Sequence, residues 1–442
     1  MTRKAYAMAG FSLNALLPAG PARRQVMLLS LGSLALGTDS FVISGILPSL
    51  GHGLGVSLSA AGLLITVFSA VYAAGAPVLA VLTGRASRRR LLIGALTVFA
   101  AANVLAAAAP DYRVMLAARV IAALAAGLYM PAATAVAAAI SAPQERGRAL
   151  AAVLGGLTVA SVLGVPLGTL VGQAVNWRAT FALVAVFSLI ALSGIARTLR
   201  EVPSPGVASL RQRIAVARIR SVPSGLLATA LAMSGVFVLY TYLAWFLGRT
   251  GDVFGSMLTV IYLIAGITAV ASNLAAGAMI DRMPAIRVAA ISMTGLAVTS
   301  LGLALIARSA RPGAGAAVAV TLVLAAWSLT GWLFNPAQQQ RLLAAAGPRG
   351  PIALSLNSSA IYGGQALAGV IGGLALSRGP AFLAVTATAC VVAALGFLGI
   401  SFLRTPVPAE SPVPAERGTG PPQPLAAGKA ADTDERSPTA GH

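Results

Sequence analysis

Apolar runs follow one another along most of the chain, separated by short segments rich in Gly, Pro and Arg. Each run is about 20 residues long, the length a helix needs to cross a hydrocarbon core of ~30 Å. Such runs have to be helical, because in lipid every backbone N–H and C=O must find its partner within the segment. Twelve spans are predicted, at 25–48, 60–82, 91–109, 114–140, 149–172, 179–195, 226–247, 255–280, 286–306, 316–334, 354–376 and 381–402. The expected fold class is an all-α membrane protein with twelve transmembrane helices in two pseudo-symmetric six-helix bundles.

The polar segments organise these spans. The longest internal one, 197–223, holds Arg197, Arg200, Arg211, Arg213, Arg218 and Arg220 with Pro203, Pro205 and Gly206, and it separates six spans from six. A two-halved layout of this kind points to duplication. The expected division is a cytoplasmic N-terminal segment 1–24, a first bundle 25–196, a basic linker 197–223, a second bundle 224–403 and a disordered tail 404–442. The apolar stretch 5–17 is short for a span and carries Ser12 and Asn14. It reads as an interfacial lead-in and not as a removed signal peptide.

Composition agrees: 57% of residues are hydrophobic and 10% charged, too few charges to cover a soluble protein of 442 residues. The mean hydropathy is +0.85. A formal charge of +20 would suggest nucleic-acid binding in a soluble chain, but here its placement points to membrane orientation. With the N-terminus inside, the loops expected outside hold only Arg113, Arg178, Arg249, Arg308, Arg311 and Arg378; every other basic residue except Arg119 lies in a segment expected inside. This is the positive-inside pattern. It predicts a multi-pass protein of the cell inner membrane with both termini cytoplasmic, lipid as a partner and no nucleic acid. Cys390 is the one cysteine, so neither a disulfide nor a cysteine metal site is available. His52 and His442 lie outside the apolar runs, and no metal or cofactor is expected. No GxxxxGK[ST] loop for phosphate is present, which argues against direct ATP hydrolysis.

Several motifs carry a resemblance. Gly37-Thr38-Asp39-Ser40-Phe41-Val42-Ile43 with Leu47-Pro48 stands in the first span, and Ala80-Val81-Leu82-Thr83-Gly84-Arg85-Ala86-Ser87-Arg88-Arg89 follows the second. Gly277-Ala278-Met279-Ile280-Asp281-Arg282 occupies the related loop of the second half, Arg119 the fourth span, and Gly164-Val165-Pro166-Leu167-Gly168, after Gly155 and Gly156, the fifth. From about Leu28 to Leu403 the chain resembles the major facilitator superfamily, specifically its twelve-helix drug:proton antiporters and arabinose-efflux-like exporters. Many relatives carry a glutamate where Ser40 stands, whereas this chain has its acid one residue earlier. The usual first-half loop aspartate is Gly84, and Ala122 and Ala123 replace the glutamine and glycine that usually follow the fourth-span arginine. The resemblance implies a major facilitator fold, an antiporter motif at Gly164, Pro166 and Gly168, and cytoplasmic gating by Arg85, Arg88, Arg89, Gly277, Asp281 and Arg282. Physically, the motif's glycines allow close helix approach and its proline removes a hydrogen bond and kinks the span. Orientation and headgroup contact are the other reading of Arg88 to Arg90.

Two charges stand inside spans. An aspartate at the bilayer centre costs about 2.5–3.5 kcal/mol on insertion scales, and a carboxylate in low dielectric takes up a proton more readily than one in water. Asp39 is therefore a candidate proton carrier or counter-charge for a cationic drug; the alternative is a packed structural partner of a hydroxyl such as Thr38. Arg119 is the candidate partner of Asp39 in proton coupling, with snorkelling toward the outer surface as the alternative. Tyr240, Tyr242, Trp327, Trp332, Asn335, Asn357, Tyr362 and Gln365 are candidate cavity residues, since aromatic walls with sparse amides suit amphipathic organic molecules. Interfacial belts and helix–helix glue are the alternatives for these. The function expected is a monomeric, non-enzymatic, proton-coupled exporter of small amphipathic compounds such as drugs, working by alternating access. Export of sugars or an endogenous metabolite is the alternative, and a non-transporting membrane sensor is a further one.

Overall fold

Ala, Leu, Val and Gly fill the apolar runs, and the runs form long helices that satisfy their own backbone. The computed structural model describes residues 22–202 and 209–403. The lead-in at 5–17, the linker residues Pro203, Pro205 and Gly206, and the tail from 404 lie outside the described residues. In the first half the helices are α1 (Ala22–Gly53), α2 (Leu58–Leu82), α3 (Arg88–Ala108), α4 (Tyr112–Ile140), α5 (Arg146–Val159), α6 (Val165–Ala174) and α7 (Trp177–Thr198). A short α8 (Leu210–Ala217) follows. The second half holds α9 (Val222–Thr241), α10 (Leu243–Gly251), α11 (Gly255–Ile280), α12 (Ala285–Ser309) and α13 (Ala314–Gly331), then α14 (Phe334–Ala346), α15 (Gly350–Ala375) and α16 (Pro380–Leu403). No strand occurs among the described residues.

Among the described residues eleven helical stretches are long and apolar enough to cross a membrane, and one of them, Ala314–Arg378, is 65 residues long. That stretch runs through α13, α14 and α15, so it carries both the tenth and the eleventh predicted spans, and the architecture is the twelve-helix one.

The helices depart from the predicted runs in four places. The first continues through Pro48 to Gly53, which brings His52 into it. The fifth is interrupted by a π turn at Ala160–Gly164, just before Pro166; such a bulge absorbs the hydrogen bond that a proline cannot make. The seventh breaks at Tyr242, whose hydroxyl donates 2.8 Å to the Gly369 carbonyl on α15, and then resumes as α10. The tenth breaks at Trp332 and Leu333 and resumes as α14, which carries Asn335, Gln338 and Arg341.

The linker also contains structure that its composition hides. Ser209 and Gln212 form a capping box that starts α8, satisfying two otherwise orphaned N–H groups. Arg213 donates 2.6 Å to Ser355 Oγ on α15, and burial lowers the pKa of its guanidinium from the ordinary arginine value. Caps also close the short turns: Ser57 accepts from Ala60, Asp111 from Arg113 and Val114, and Asn176 from Ala179.

The two ends of the helix assembly are distinguished below as the terminal face, where α1 starts and α16 ends, and the far face, where α1 ends. Around the outside, large apolar side chains are bare, among them Leu82, Leu374 and Leu322 at 74%, 74% and 67% exposure. Water would make such a surface a liability, whereas lipid accepts it. Inside, α1 lies against α5 and α6 in constant register. A Cβ at Gly156 would meet Ser30 and Ser33, at Gly164 Thr38, at Gly168 Val42 and at Gly172 Ile46. Glycine is required at these positions by the closeness of the two backbones.

Candidate functional site

A helix turns about 100° per residue, and between positions 37 and 44 α1 presents successive side chains to different neighbours. Gly37 faces Ala160 and Leu157, and Thr38 faces Gly164. Asp39 faces Arg119 on α4, and Ser40 reaches Tyr362 on α15. Phe41 meets Phe237 and Tyr240 on α9 and Trp332 after α13. Ser44 accepts 3.2 Å from the Tyr262 hydroxyl on α11.

Asp39 and Arg119 form a closed pair. Arg119 Nη1 donates 2.7 Å to Asp39 Oδ1 and 2.9 Å to Oδ2, and the two side chains are 1% and 0% exposed. Arg119 therefore does not snorkel, and Asp39 has a cation, not Thr38, for its partner. The guanidinium lies 4.3 Å from the centroid of the Phe68 ring, whose negative face adds to its stabilisation. Both carboxylate oxygens take the same nitrogen, and Arg119 Nε has no hydrogen-bond partner among the described residues. The pair is thus held by charge more than by a complete set of hydrogen bonds.

From this pair an aromatic chain runs to the second bundle. Phe68 lies 6.5 Å from Tyr72, and Tyr72 stacks on Tyr362 at 3.7 Å between centroids and 27° between planes. Tyr362 in turn interacts with Ser40 and lies within the electrostatic reach of Asp39. The stack belongs to a longer seam. Ser59 on α2 donates 2.9 Å to the Gly373 carbonyl of α15, and a Cβ at Gly369 would collide with Thr66. A Cβ at Gly266 on α11 would strike the backbone of Ser161 and Val162 in the π turn. These contacts join the bundles from the level of Asp39 toward the far face.

On another side of α1 an aromatic cage has formed. Phe41, Tyr240, Tyr262, Trp327 and Trp332 line it, with Ser161 and Ser328 among its few polar side chains. Tyr240 and Tyr262 meet edge to face at 5.9 Å, and Phe41 and Trp332 at 6.5 Å and 90°. Trp327 donates away from the cage to Ser300 Oγ, 3.1 Å. Ser328 donates to the Ala265 carbonyl, 2.7 Å. The free volume inside is about 10 Å³, roughly one water, so the rings pack against one another in this state.

The eight predicted cavity residues are thus divided. Tyr240, Trp327 and Trp332 line the cage. Tyr242 is buried against Gly62 and Gly372, where it joins helices. Asn357 accepts 2.9 Å from Thr229, Asn335 accepts 3.2 Å from Gln339 within α14, and Gln365 is buried in α15. Tyr362 belongs to the stack. Phe41, Tyr262, Phe68 and Tyr72 were missed because single aromatics in apolar runs are indistinguishable from core; the one signal available was the spacing of Phe68 and Tyr72, which places them on one face of α2.

The predicted gating residues also separate. Arg89 donates 2.7 Å to each of the Leu199 and Ala196 carbonyls, capping the end of α7. Arg88 is buried beside the same segment, its N–H bonded to the Val202 carbonyl. Arg85, Gly277, Asp281 and Arg282 are exposed at the terminal face. Gly164 and Gly168 are buried against α1, and Pro166 is buried in α6. Among the described residues no group of three or more His, Cys, Asp or Glu is gathered for a metal.

Comparison with known proteins bears on the family and the fold. The family model described as Major Facilitator Superfamily matches residues 29–351. The chain is 34% identical over 350 residues to the Uncharacterized MFS-type transporter YbcL of Bacillus subtilis (strain 168), an overlap of 79% of this chain and 88% of that one. It is 31% identical over 262 residues to a Chloramphenicol resistance protein of Streptomyces lividans, covering 58% of this chain and 67% of the relative. Among solved structures, a bacterial homolog to the human lysosomal transporter Spinster, in an inward-facing and occupied conformation, superposes with a TM-score of 0.71. That likeness is at 18% identity over 88% of this chain and 100% of the other, and it concerns the fold.

Proposed function

Because the chain belongs to the Major Facilitator Superfamily and is a membrane transporter, we propose that it exports small amphipathic organic compounds in exchange for protons by alternating access. The observation that carries this reading is the buried pair: a carboxylate inside a span, 2.7 Å from Arg119, one residue from Ser40 and its contact with the second bundle. Taking up a proton removes the negative charge that holds Arg119 and loosens α1 from α4. Since α1 touches both bundles, that loosening reaches the seam between them. The bundles then rock back and close the far face, and release of the proton on the terminal side restores the pair. In this reading the proton enters from the far face and leaves at the terminal face, while cargo moves the other way.

Export is supported by the resemblance of Gly164, Pro166 and Gly168 to the antiporter motif and by the packing of its two glycines on the helix that carries Asp39. The aromatic cage supports an amphipathic cargo, and the relative named for chloramphenicol resistance points the same way. The terminal face is then cytoplasmic in an inner membrane, with the bundles at 25–196 and 224–403 rocking about the seam, and the working unit is a monomer. At 100 mV each proton's charge supplies about 2.3 kcal/mol before any pH gradient is counted.

The test is chloramphenicol flux in proteoliposomes under an imposed pH gradient, wild type against Asp39→Asn at equal protein content. The variant is expected to lose gradient-driven flux by tenfold or more. Equal gradient-driven flux in the two removes Asp39 from coupling, and with it this reading.

A further inference from the structure

Building on the transport reading, we propose that cargo and proton occupy opposite faces of α1, and that the cargo site selects uncharged aromatic amphiphiles over organic cations. Phe41, which lines the cage, stands two residues after Asp39, so the two side chains leave α1 about 200° apart. Asp39 points away from the cage toward α4, where both of its oxygens are taken by Arg119. None of the cage-lining residues bears a formal charge. What the cage presents is aromatic ring, with the hydroxyls of Tyr240, Tyr262, Ser161 and Ser328 at its edges.

A cation could gain something from ring faces. It would still give up its hydration without a counter-ion, and the net charge of the Asp39–Arg119 pair is zero with the proton off and +1 with it on. Neither state of the pair attracts a cation, and the protonated state repels one. An uncharged aromatic amphiphile loses little on leaving water and can stack on the rings. The walls come from both bundles: Phe41 and Ser161 from the first, the tyrosines and tryptophans from the second. Parting the bundles therefore enlarges the cage beyond its present 10 Å³, and cargo fills the space the rings now occupy. Proton and cargo communicate through α1 as a rigid element, without sharing a ligand group.

The experiment uses two matched compounds on the full-length protein in nanodiscs: dansylamide, uncharged at neutral pH, and its 2-(trimethylammonio)ethyl derivative, a permanent cation. Binding is read by energy transfer from tryptophan to the dansyl group. Dansylamide is expected to bind saturably and at least tenfold more tightly than the cation. Tyr240→Ala should weaken dansylamide by tenfold or more. Asp39→Asn/Arg119→Gln, neutral like the unprotonated pair, is expected to shift both affinities through the populations of the two states, but their ratio should stay within twofold of wild type. A cation that binds as well as dansylamide, a cation affinity selectively lost in the neutral double variant, or no saturable dansylamide binding overturns the proposal. The outcome is independent of the flux test: a preserved ratio with gradient-independent flux sinks the coupling reading alone, whereas coupled flux with a selective loss of the cation sinks this one alone.

Discussion

Removing either member of the Asp39–Arg119 pair leaves its partner charged in a place that water does not reach, since both side chains are at most 1% exposed. Breaking a buried pair from one side typically costs about 3–5 kcal/mol, while replacing both members by neutral groups of similar shape is far less damaging. Arg119→Gln is therefore expected to lower the thermal midpoint of the purified protein. The double variant Asp39→Asn/Arg119→Gln should recover most of that loss while still failing to couple flux to protons. A double variant no more stable than Arg119→Gln would mean that the two charges are not each other's partners. The same residues show what one position along a helix decides. Ser40, one step on, reaches Tyr362, and that step of about 100° is what directs the acid at Arg119 instead.

At the scale of the helix, the register between α1 and the fifth crossing fixes where Asp39 stands. Gly164 admits Thr38 so closely that a Cβ there would collide with its hydroxyl, whereas a Cβ at Gly155 meets nothing within 4 Å. Overpacking such a contact costs typically about 1–3 kcal/mol and moves backbone. Gly164→Val should push α1 away from α6, tilt Asp39 off Arg119 and reduce proton-driven flux at least tenfold. Gly155→Val should leave flux within about twofold of wild type, although it lies in the same glycine-rich stretch. Flux and thermal midpoint measured for both variants check this, and equal loss in the two would remove the register argument. The glycines were legible in the sequence as a motif. Their partners were not, because a glycine signals only that something approaches closely and never says what.

For the whole molecule, an uncharged cargo makes the exchange electrogenic. Each proton that enters against one neutral molecule leaving carries one unit of charge across the membrane. An inside-negative potential should then drive export at zero pH gradient, with ~2.3 kcal/mol per proton at 100 mV, or ~50-fold in the cargo ratio. A potassium diffusion potential imposed on oriented vesicles tests this. Chloramphenicol export indifferent to voltage at zero pH gradient would mean that another ion compensates the charge or that no proton moves. The far-face seam bears on the same cycle, since Tyr72 on Tyr362 and Ser59 on Gly373 must part before a proton can reach Asp39 from that side.

The order of residues was enough to show that the chain spans a membrane twelve times, where its one in-span acid and one in-span arginine lie, and that close helix contacts are needed in the fifth crossing. Those properties follow from hydropathy, charge and side-chain size, all local to a position. Only the packed fold brings Asp39 to Arg119 across 80 residues of chain, sets Tyr242 between helices while Tyr240 lines a cage, and places Phe41 and Tyr262 in that cage and Phe68 and Tyr72 beside the pair. An aromatic side chain has the same hydropathy in lipid, in a core or in a cage, so only the neighbours that the fold brings to it can tell these apart.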